Sequence, residues 1–175
     1  MSEKIPPEYK YCPYCATPLE TRYIEGRERA YCPRCGFIHY RNPLPSVGII
    51  AHRDGKFLLI KRGREPQKGV WAPPSGFIEE GEDPEETAIR ELEEETGMKG
   101  EVEELLGVYR NNSKVYGDVL VITYLVKITG GSLRAGDDAE EAKLFRYEDL
   151  PPIPFRCFTE SLKKARKILE GRNEQ

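Results

Sequence analysis

Gly76-Phe-Ile-Glu79-Glu80-Gly-Glu82-Asp83-Pro84-Glu-Glu86-Thr-Ala88-Ile89-Arg90-Glu91-Leu92-Glu93-Glu94-Glu95-Thr-Gly97-Met98 carries ten acidic side chains against one arginine and no lysine. A helix made only to be soluble mixes both signs, since like charges at i,i+4 weaken it by roughly 0.2–0.5 kcal/mol a pair. This stretch therefore expects its cations from outside. Its helix is legible in detail. Asp83 is an N-cap, Pro84 suits the first helical position, and Glu86 is placed to close a capping box on the Asp83 N–H. Gly97 is placed to end the helix in the left-handed conformation. At about 100° per residue, Ala88, Ile89 and Leu92 share one arc. Glu94, Glu91 and Glu95 share the neighbouring arc, and Glu93 falls elsewhere. Three carboxylates thus converge beside the apolar stripe, which aims them at a cleft.

Clustered hard oxygen ligands suit Mg²⁺, which completes its shell with waters and substrate phosphate. The chemistry implied is metal-assisted phosphoryl transfer to water. A carboxylate such as Glu91, beside the metal, can take the water's proton, and Arg90 can grip a carboxylate bidentately.

Gly76, five residues, Glu82, seven residues, then Arg90-Glu91-Leu92-x-Glu94-Glu95-x-Gly97-Met98 matches every specified position of the Nudix box, and the chain resembles the Nudix hydrolases. That resemblance implies an α/β fold, an α/β/α sandwich with a mixed sheet and the box as loop-helix-loop. It implies hydrolysis of a nucleoside diphosphate linked to another moiety, with Mg²⁺ or Mn²⁺ as the catalytic cation. By the same resemblance Glu94 and Glu95 are metal ligands, with the Gly76 carbonyl as another. Glu91 is a ligand or the base, and Arg90 and Glu82 brace the constellation. The competing reading is an acidic solvated helix on an inactive relative, in which case the protein is an interaction module; the intact set of carboxylates counts against it.

The remainder of the chain reads outward from the box. At 175 residues, 38% hydrophobic and 33% charged, it suits one well-buried domain plus a small appendage. The appendage announces itself at Cys12-Pro-Tyr-Cys15 and, after sixteen residues, Cys32-Pro-Arg-Cys35, the spacing of a zinc ribbon. Four thiolates satisfy Zn²⁺ and close it to chemistry, so this metal is structural. The division expected is a ribbon over residues 1–42 and a hydrolase domain over 43–175. Disulfide pairing is the rival account, and Cys157 stands apart as a buried thiol. Residues 1–45 hold seven Lys or Arg and five Glu, and a Zn²⁺ with four thiolates brings that balance to zero. With a net charge of -3 overall, this argues against a nucleic-acid partner. The aromatics Tyr9, Tyr11, Tyr14, Tyr23, Tyr31, Phe37 and Tyr40 are expected to fill the ribbon's thin core or to pack it on its neighbour.

Residues 41–45, with two prolines, read as an extended linker. Residues 47–51 and 56–61 read as strands joined by the hairpin signal Asp54-Gly55. The cations from Lys61 to Lys68 form a solvated loop that could meet substrate phosphates. Trp71 is read as core. Ser75 stands where Nudix proteins commonly carry a glycine, a departure that leaves the box itself intact. Residues 103–110 and 118–128 read as strands, the second central, with Asn111-Asn112-Ser113 and Gly130-Gly131-Ser132 as turns. Asp137, Asp138, Glu140 and Glu141 form an acidic loop, where many Nudix enzymes take a further metal ligand or base. A last helix carries Phe158, Leu162, Ala165 and Leu169 on one stripe and ends at Gly171. His39 and His52 receive no catalytic role.

A zinc ribbon before a Nudix domain resembles two groups, the NADH pyrophosphatases and the FAD or ADP-ribose pyrophosphatases. The stretch Cys32-x-x-Cys35-Gly36-x-Ile38-His39-Tyr40-x-Asn42-Pro43 resembles the second group's ribbon exit, and the Ser-Gln-Pro-Trp-Pro-Phe-Pro run of the first is missing after the box. ADP-ribose or FAD is thus expected ahead of NADH, with AMP released. An enzyme acting on RNA 5′ caps of the NAD type is the alternative. No run approaches 18 apolar residues, and the opening residues 1–7 lack an apolar signal region. A cytoplasmic protein with a small-molecule nucleotide substrate and no membrane partner is expected. Nudix dimers are common, and the ribbon offers a homodimer contact surface.

Overall fold

The computed structural model describes residues 9–65, 67–136 and 138–173; residues 1–7 and Asp137, both invoked above, lie outside the described residues. Helix α1 (Pro84–Thr96) begins and ends at the expected caps. The Asp83 N–H donates to Glu86 Oε2 at 3.3 Å, and Gly97, at φ 68°, donates its N–H to the Glu93 carbonyl. Ala88 and Leu92 are fully buried, with Ile89 packed alongside.

The described residues divide into two compact units. The larger, Leu44–Asn111 with Val119–Gln175, is built on a mixed sheet. Its strands are β4 (Leu44–Arg53), β5 (Lys56–Arg62), β6 (Trp71–Ala72), β7 (Ser75–Phe77), β8 (Met98–Ser113), β9 (Gly117–Gly131) and β10 (Ala139–Arg146). The main order is β10-β5-β4-β9-β8, with β6 paired to β5 and β7 to β4. β4 and β9 run parallel, Leu44 opposite Val119 through His52 opposite Lys127. β4 and β5 close through Asp54 (φ 51°) and Gly55 (φ 72°), the two positive-φ residues of a type I′ hairpin.

Alternation along β4 makes the sandwich. Val47, Ile49 and Ala51 face α1, where they pack with Ala88, Leu92, Tyr124 and Val126. Ile50 faces the other way, into a cluster with Leu125, Leu162 and Ala165 of helix α2 (Arg156–Asn173). A sheet buried on both faces needs apolar residues at odd and even positions alike, which is why β4 and β9 read as nearly continuous apolar runs.

Several local expectations need correction. Leu44 and Pro45 belong to β4 rather than to a linker, because the Pro45 carbonyl still accepts from the Ile78 N–H at 3.2 Å. Asn111, Asn112 and Ser113 end β8 instead of turning, and the turn falls after them. There the Ser113 hydroxyl accepts from the N–H groups of Val115 and Tyr116, each at 3.2 Å. Glu140 and Glu141 lie in β10, not in a loop. Trp71 is only partly buried, edge-on to Phe145 with ring centroids 5.0 Å apart. Helix α2 runs through Gly171, which has no positive φ to stop it. Arg172 then ties the last turn to Glu103 Oε2 at 2.7 Å.

The smaller unit, Met1–Pro43 with Asn112–Asp118, holds a three-stranded sheet of β1 (Glu20–Ile24), β2 (Arg27–Tyr31) and β3 (Ile38–His39). Two matching knuckles carry the cysteines. Ala16 and Gly36 donate back to the carbonyls of Cys12 and Cys32 at 2.9 and 3.0 Å, and Cys12 and Cys32 are buried. The tyrosines do not fill its core: Tyr9, Tyr11, Tyr14, Tyr23 and Tyr40 are all exposed. Buried cysteines occupy the centre that rings would otherwise take.

Leu92 is the side chain through which the box helix meets the sheet. Leu92→Ala is expected to lower the free energy of unfolding by about 3 kcal/mol, read from urea denaturation followed by circular dichroism.

Candidate active site

The N-terminal end of the box is a strand. β7 pairs with β4, Val47 opposite Gly76, and this lays the Gly76 backbone against Glu91. A Cβ at Gly76 would overlap the Glu91 carboxylate, so any side chain here would displace that carboxylate from its present position.

Arg90 is the hub of the arrangement. Its Nε and Nη2 grip Glu82 bidentately at 2.6 and 2.9 Å. Nη1 donates to Glu91 Oε1 at 2.8 Å and to Glu94 Oε2 at 3.0 Å. Nη2 also reaches the Phe77 carbonyl at 3.3 Å, tying the helix to β7. Glu82 is held twice more, by the Glu79 N–H at 3.1 Å and the Thr87 hydroxyl at 2.9 Å. The Arg90 hydrogen bonds, helped by the Glu79 N–H, bring the Glu82 carboxyl down to about 2.

Glu91 and Glu95 lie under different electrostatics. Burial pushes the Glu91 carboxyl up, against the pull of Arg90. Burial also pushes Glu95 up, to about 8, with the negative charges of Glu91 and Asp138 adding to it. The Ser75 N–H, 2.9 Å from Glu95 Oε2, works the other way. Glu94 is exposed.

A divalent cation suits this donor set. Two carboxylate oxygens already share one guanidinium nitrogen, and Glu95 sits in surroundings that disfavour its ionised form until positive charge arrives. Among the described residues, the cysteines form the one set of three or more ligating side chains whose donor atoms all lie within 4.8 Å of one another. The three box carboxylates are less tightly drawn, with Arg90 standing between two of them.

The cysteine sulfurs fit a tetrahedral metal. Cys12 to Cys35 and Cys15 to Cys32 are each 3.5 Å apart, near the roughly 3.8 Å edge of a tetrahedron with about 2.3 Å metal–sulfur bonds. All five cysteines are free, which removes the disulfide account for the described geometry.

Of the acidic candidates after the box, Asp138 pairs with Arg64 at 2.8 Å, Glu140 with Lys68 at 3.3 Å and Glu141 with Lys61 at 2.8 Å. Of these three described carboxylates, Asp138 adds its negative charge at Glu95. The basic run after β5 and the acidic run into β10 are thus partners, a complementarity visible in the sequence once β5 and β10 are known to be neighbours. The Ser75 N–H and the Thr87 hydroxyl carry no sequence signal, because one is backbone and the other a common helix residue.

Residues 42–164 match the model of the NUDIX domain. The chain belongs to the Nudix hydrolase family. Residues 10–41 match the Nudix N-terminal model, a zinc ribbon. Over 117 residues the chain is 44% identical to an ADP-ribose pyrophosphatase of Methanocaldococcus jannaschii, covering 66% of this chain and 69% of that one. It is 31% identical over 148 residues to the NAD-capped RNA hydrolase NudC of Chromobacterium violaceum, covering 83% of this chain and 53% of that one. This chain therefore spans about half of that relative's length. The crystal structure of a NUDIX hydrolase from Nitrosomonas europaea superposes with a TM-score of 0.82 at 31% identity, covering 93% of both chains.

The Glu82 shift has a consequence for acid stability. Its folded carboxyl lies near 2, below the unfolded value of about 4.5, so its stabilisation is complete above about 4.5 and is lost as pH falls toward 2. Glu82→Gln is expected to flatten the pH dependence of unfolding across that window, measured by denaturant titration at successive pH values.

Proposed function

We propose that this Nudix protein hydrolyses the pyrophosphate bond of a nucleoside diphosphate linked to another moiety, with ADP-ribose favoured, then FAD, then NADH, releasing AMP. The observation carrying the reading is the Arg90 hub, which aligns Glu82, Glu91 and Glu94 beside half-buried Glu95. The 44% identity to an ADP-ribose pyrophosphatase favours ADP-ribose within that class.

Glu91, Glu94, Glu95 and the Gly76 carbonyl would hold Mg²⁺ or Mn²⁺, which when bound neutralises charge on the bridging oxygens and acidifies water. Arg90 and Glu82 keep the carboxylates in place. Glu91, whose carboxyl burial pushes up, is suited to take the proton as water oxygen bonds to phosphorus and the bridging P–O bond breaks. Both new phosphate termini leave with the products, AMP and a phosphorylated remainder. Among the described members of the acidic stretch, Asp138 is best placed to add a further carboxylate. Cys12, Cys15, Cys32 and Cys35 would hold structural Zn²⁺, with the ribbon over residues 1–42 and the hydrolase domain over 43–175. No helix among the described residues is long and apolar enough to cross a membrane, and we place the protein in the cytoplasm, with homodimerisation open to direct test.

A second reading is hydrolysis at the NAD-type 5′ end of RNA. It is favoured by relatives named NAD-capped RNA hydrolase that align over more than four fifths of the chain, and by the exposed ribbon tyrosines, since rings can stack on bases.

Chromatography of products after incubation with Mg²⁺ and ADP-ribose, FAD, NADH, a nucleoside triphosphate or 5′-NAD RNA tests these readings. AMP from ADP-ribose at the highest rate is expected, with turnover lost in Glu94→Gln at unchanged circular dichroism. Wild-type turnover in that variant would overturn the box assignment, and silence toward all but the RNA would favour the second reading. Elemental analysis is expected to find one zinc per chain and to lose it in Cys32→Ser.

A further inference from the structure

An α-helix leaves its last carbonyls without partners inside the helix. At the end of α1 they are met by a single backbone segment. The N–H groups of Ser132, Arg134 and Gly136 donate to the carbonyls of Gly97, Thr96 and Glu95 at 3.1, 2.9 and 2.9 Å. Alternate residues of an extended strip thus bond successive residues of the helix end, which is the turn bearing Glu94 and Glu95.

At Gly136 the strip lies tight against the helix backbone. A Cβ there would overlap the Glu94 carbonyl oxygen and stand 2.9 Å from Glu95 Cα. Both are backbone atoms, which cannot rotate aside as a side-chain end can. Gly136 has no positive φ, so its requirement is one of space. Beyond it, the Ala139 N–H returns to the Gly136 carbonyl at 3.1 Å, and the Gly63 N–H donates to the Asp138 carbonyl at 2.8 Å. The backbone around Asp138 is therefore pinned on one side to α1 and on the other to the end of β5.

We propose that residues 132–136 are a backbone clamp on the last turn of α1, with Gly136 as its positioning residue, and that the clamp sets the divalent-cation affinity of Glu94 and Glu95. This rests on the reading of those two carboxylates as ligands. Gly136 touches neither metal nor substrate; it acts by fixing where the helix end stands.

The test uses Mn²⁺ alone, titrated into the whole 175-residue chain and followed by electron paramagnetic resonance, with melting temperature recorded for each variant. Gly136→Ala is expected to weaken Mn²⁺ binding about 10-fold or more, as loss of a ligand's supporting contacts does. Leu133→Ala, at an exposed position between the clamping residues, is expected to bind like wild type. Wild-type Mn²⁺ affinity in Gly136→Ala overturns the clamp alone. Wild-type affinity in Glu95→Gln overturns the ligand reading and the clamp with it. Should Gly136→Ala fail to fold, amide hydrogen exchange on the wild-type protein decides: Mg²⁺ is expected to slow exchange at Ser132, Arg134 and Gly136. Unchanged exchange under saturating Mg²⁺ overturns the proposal.

Discussion

Five hydrogen bonds to one guanidinium hold the box in shape: Arg90 to Glu82 twice, to Glu91, to Glu94 and to the Phe77 carbonyl. A flat, permanently charged fork can serve several carboxylates at fixed angles, which the point charge of a lysine cannot. The three acids would otherwise repel one another. With Arg90 between them they are held close while Glu95, outside the arginine's reach, keeps its unfavourable burial. The hub thus sets Glu82, Glu91 and Glu94 under one shared positive charge, whereas Glu95 is met by the Ser75 N–H and, more weakly, by the charge of Arg62.

How much of this was legible depends on how local the cause is. The caps at Asp83 and Gly97, the arc of Ala88, Ile89 and Leu92, and the Asp54-Gly55 turn each follow from neighbours in sequence, and the structure repeats them. The spacing of the cysteines likewise encodes its own geometry, since two knuckles of four residues can bring their sulfurs together in few ways. The family pattern implied the layered sandwich, and the alternation along β4 realises it.

Other features were decided by tertiary partners. Gly171 reads as a stop, yet Arg172 finds Glu103 on a strand distant in sequence, and the helix continues. Asn112 and Ser113 read as a turn, but their side chains satisfy the turn from the strand end, through Asp118 and the amides that follow. The ribbon aromatics read as core or as packing surface because small domains are short of apolar volume; the cysteines hold the buried centre, five of the tyrosines are exposed, and Tyr31 and Phe37 are partly buried. The carboxylates after the box could not be sorted by spacing, since their partners are cations on β5 and the loop beyond it.

The parallel pairing of β4 with β9, Leu44 against Val119 onward, bears on how the chain is made. During synthesis the box helix emerges with its caps and stripe complete, well before the strand that forms much of its floor. Until β9 leaves the ribosome, Ala88 and Leu92 lack the Tyr124 and Val126 side of their cluster. Closing so distant a contact is slow relative to hairpins and helices. A nascent chain halted between the two strands would have β4 but not β9 to cover the apolar stripe of an acidic helix, and its dense negative charge would help keep that intermediate from aggregating.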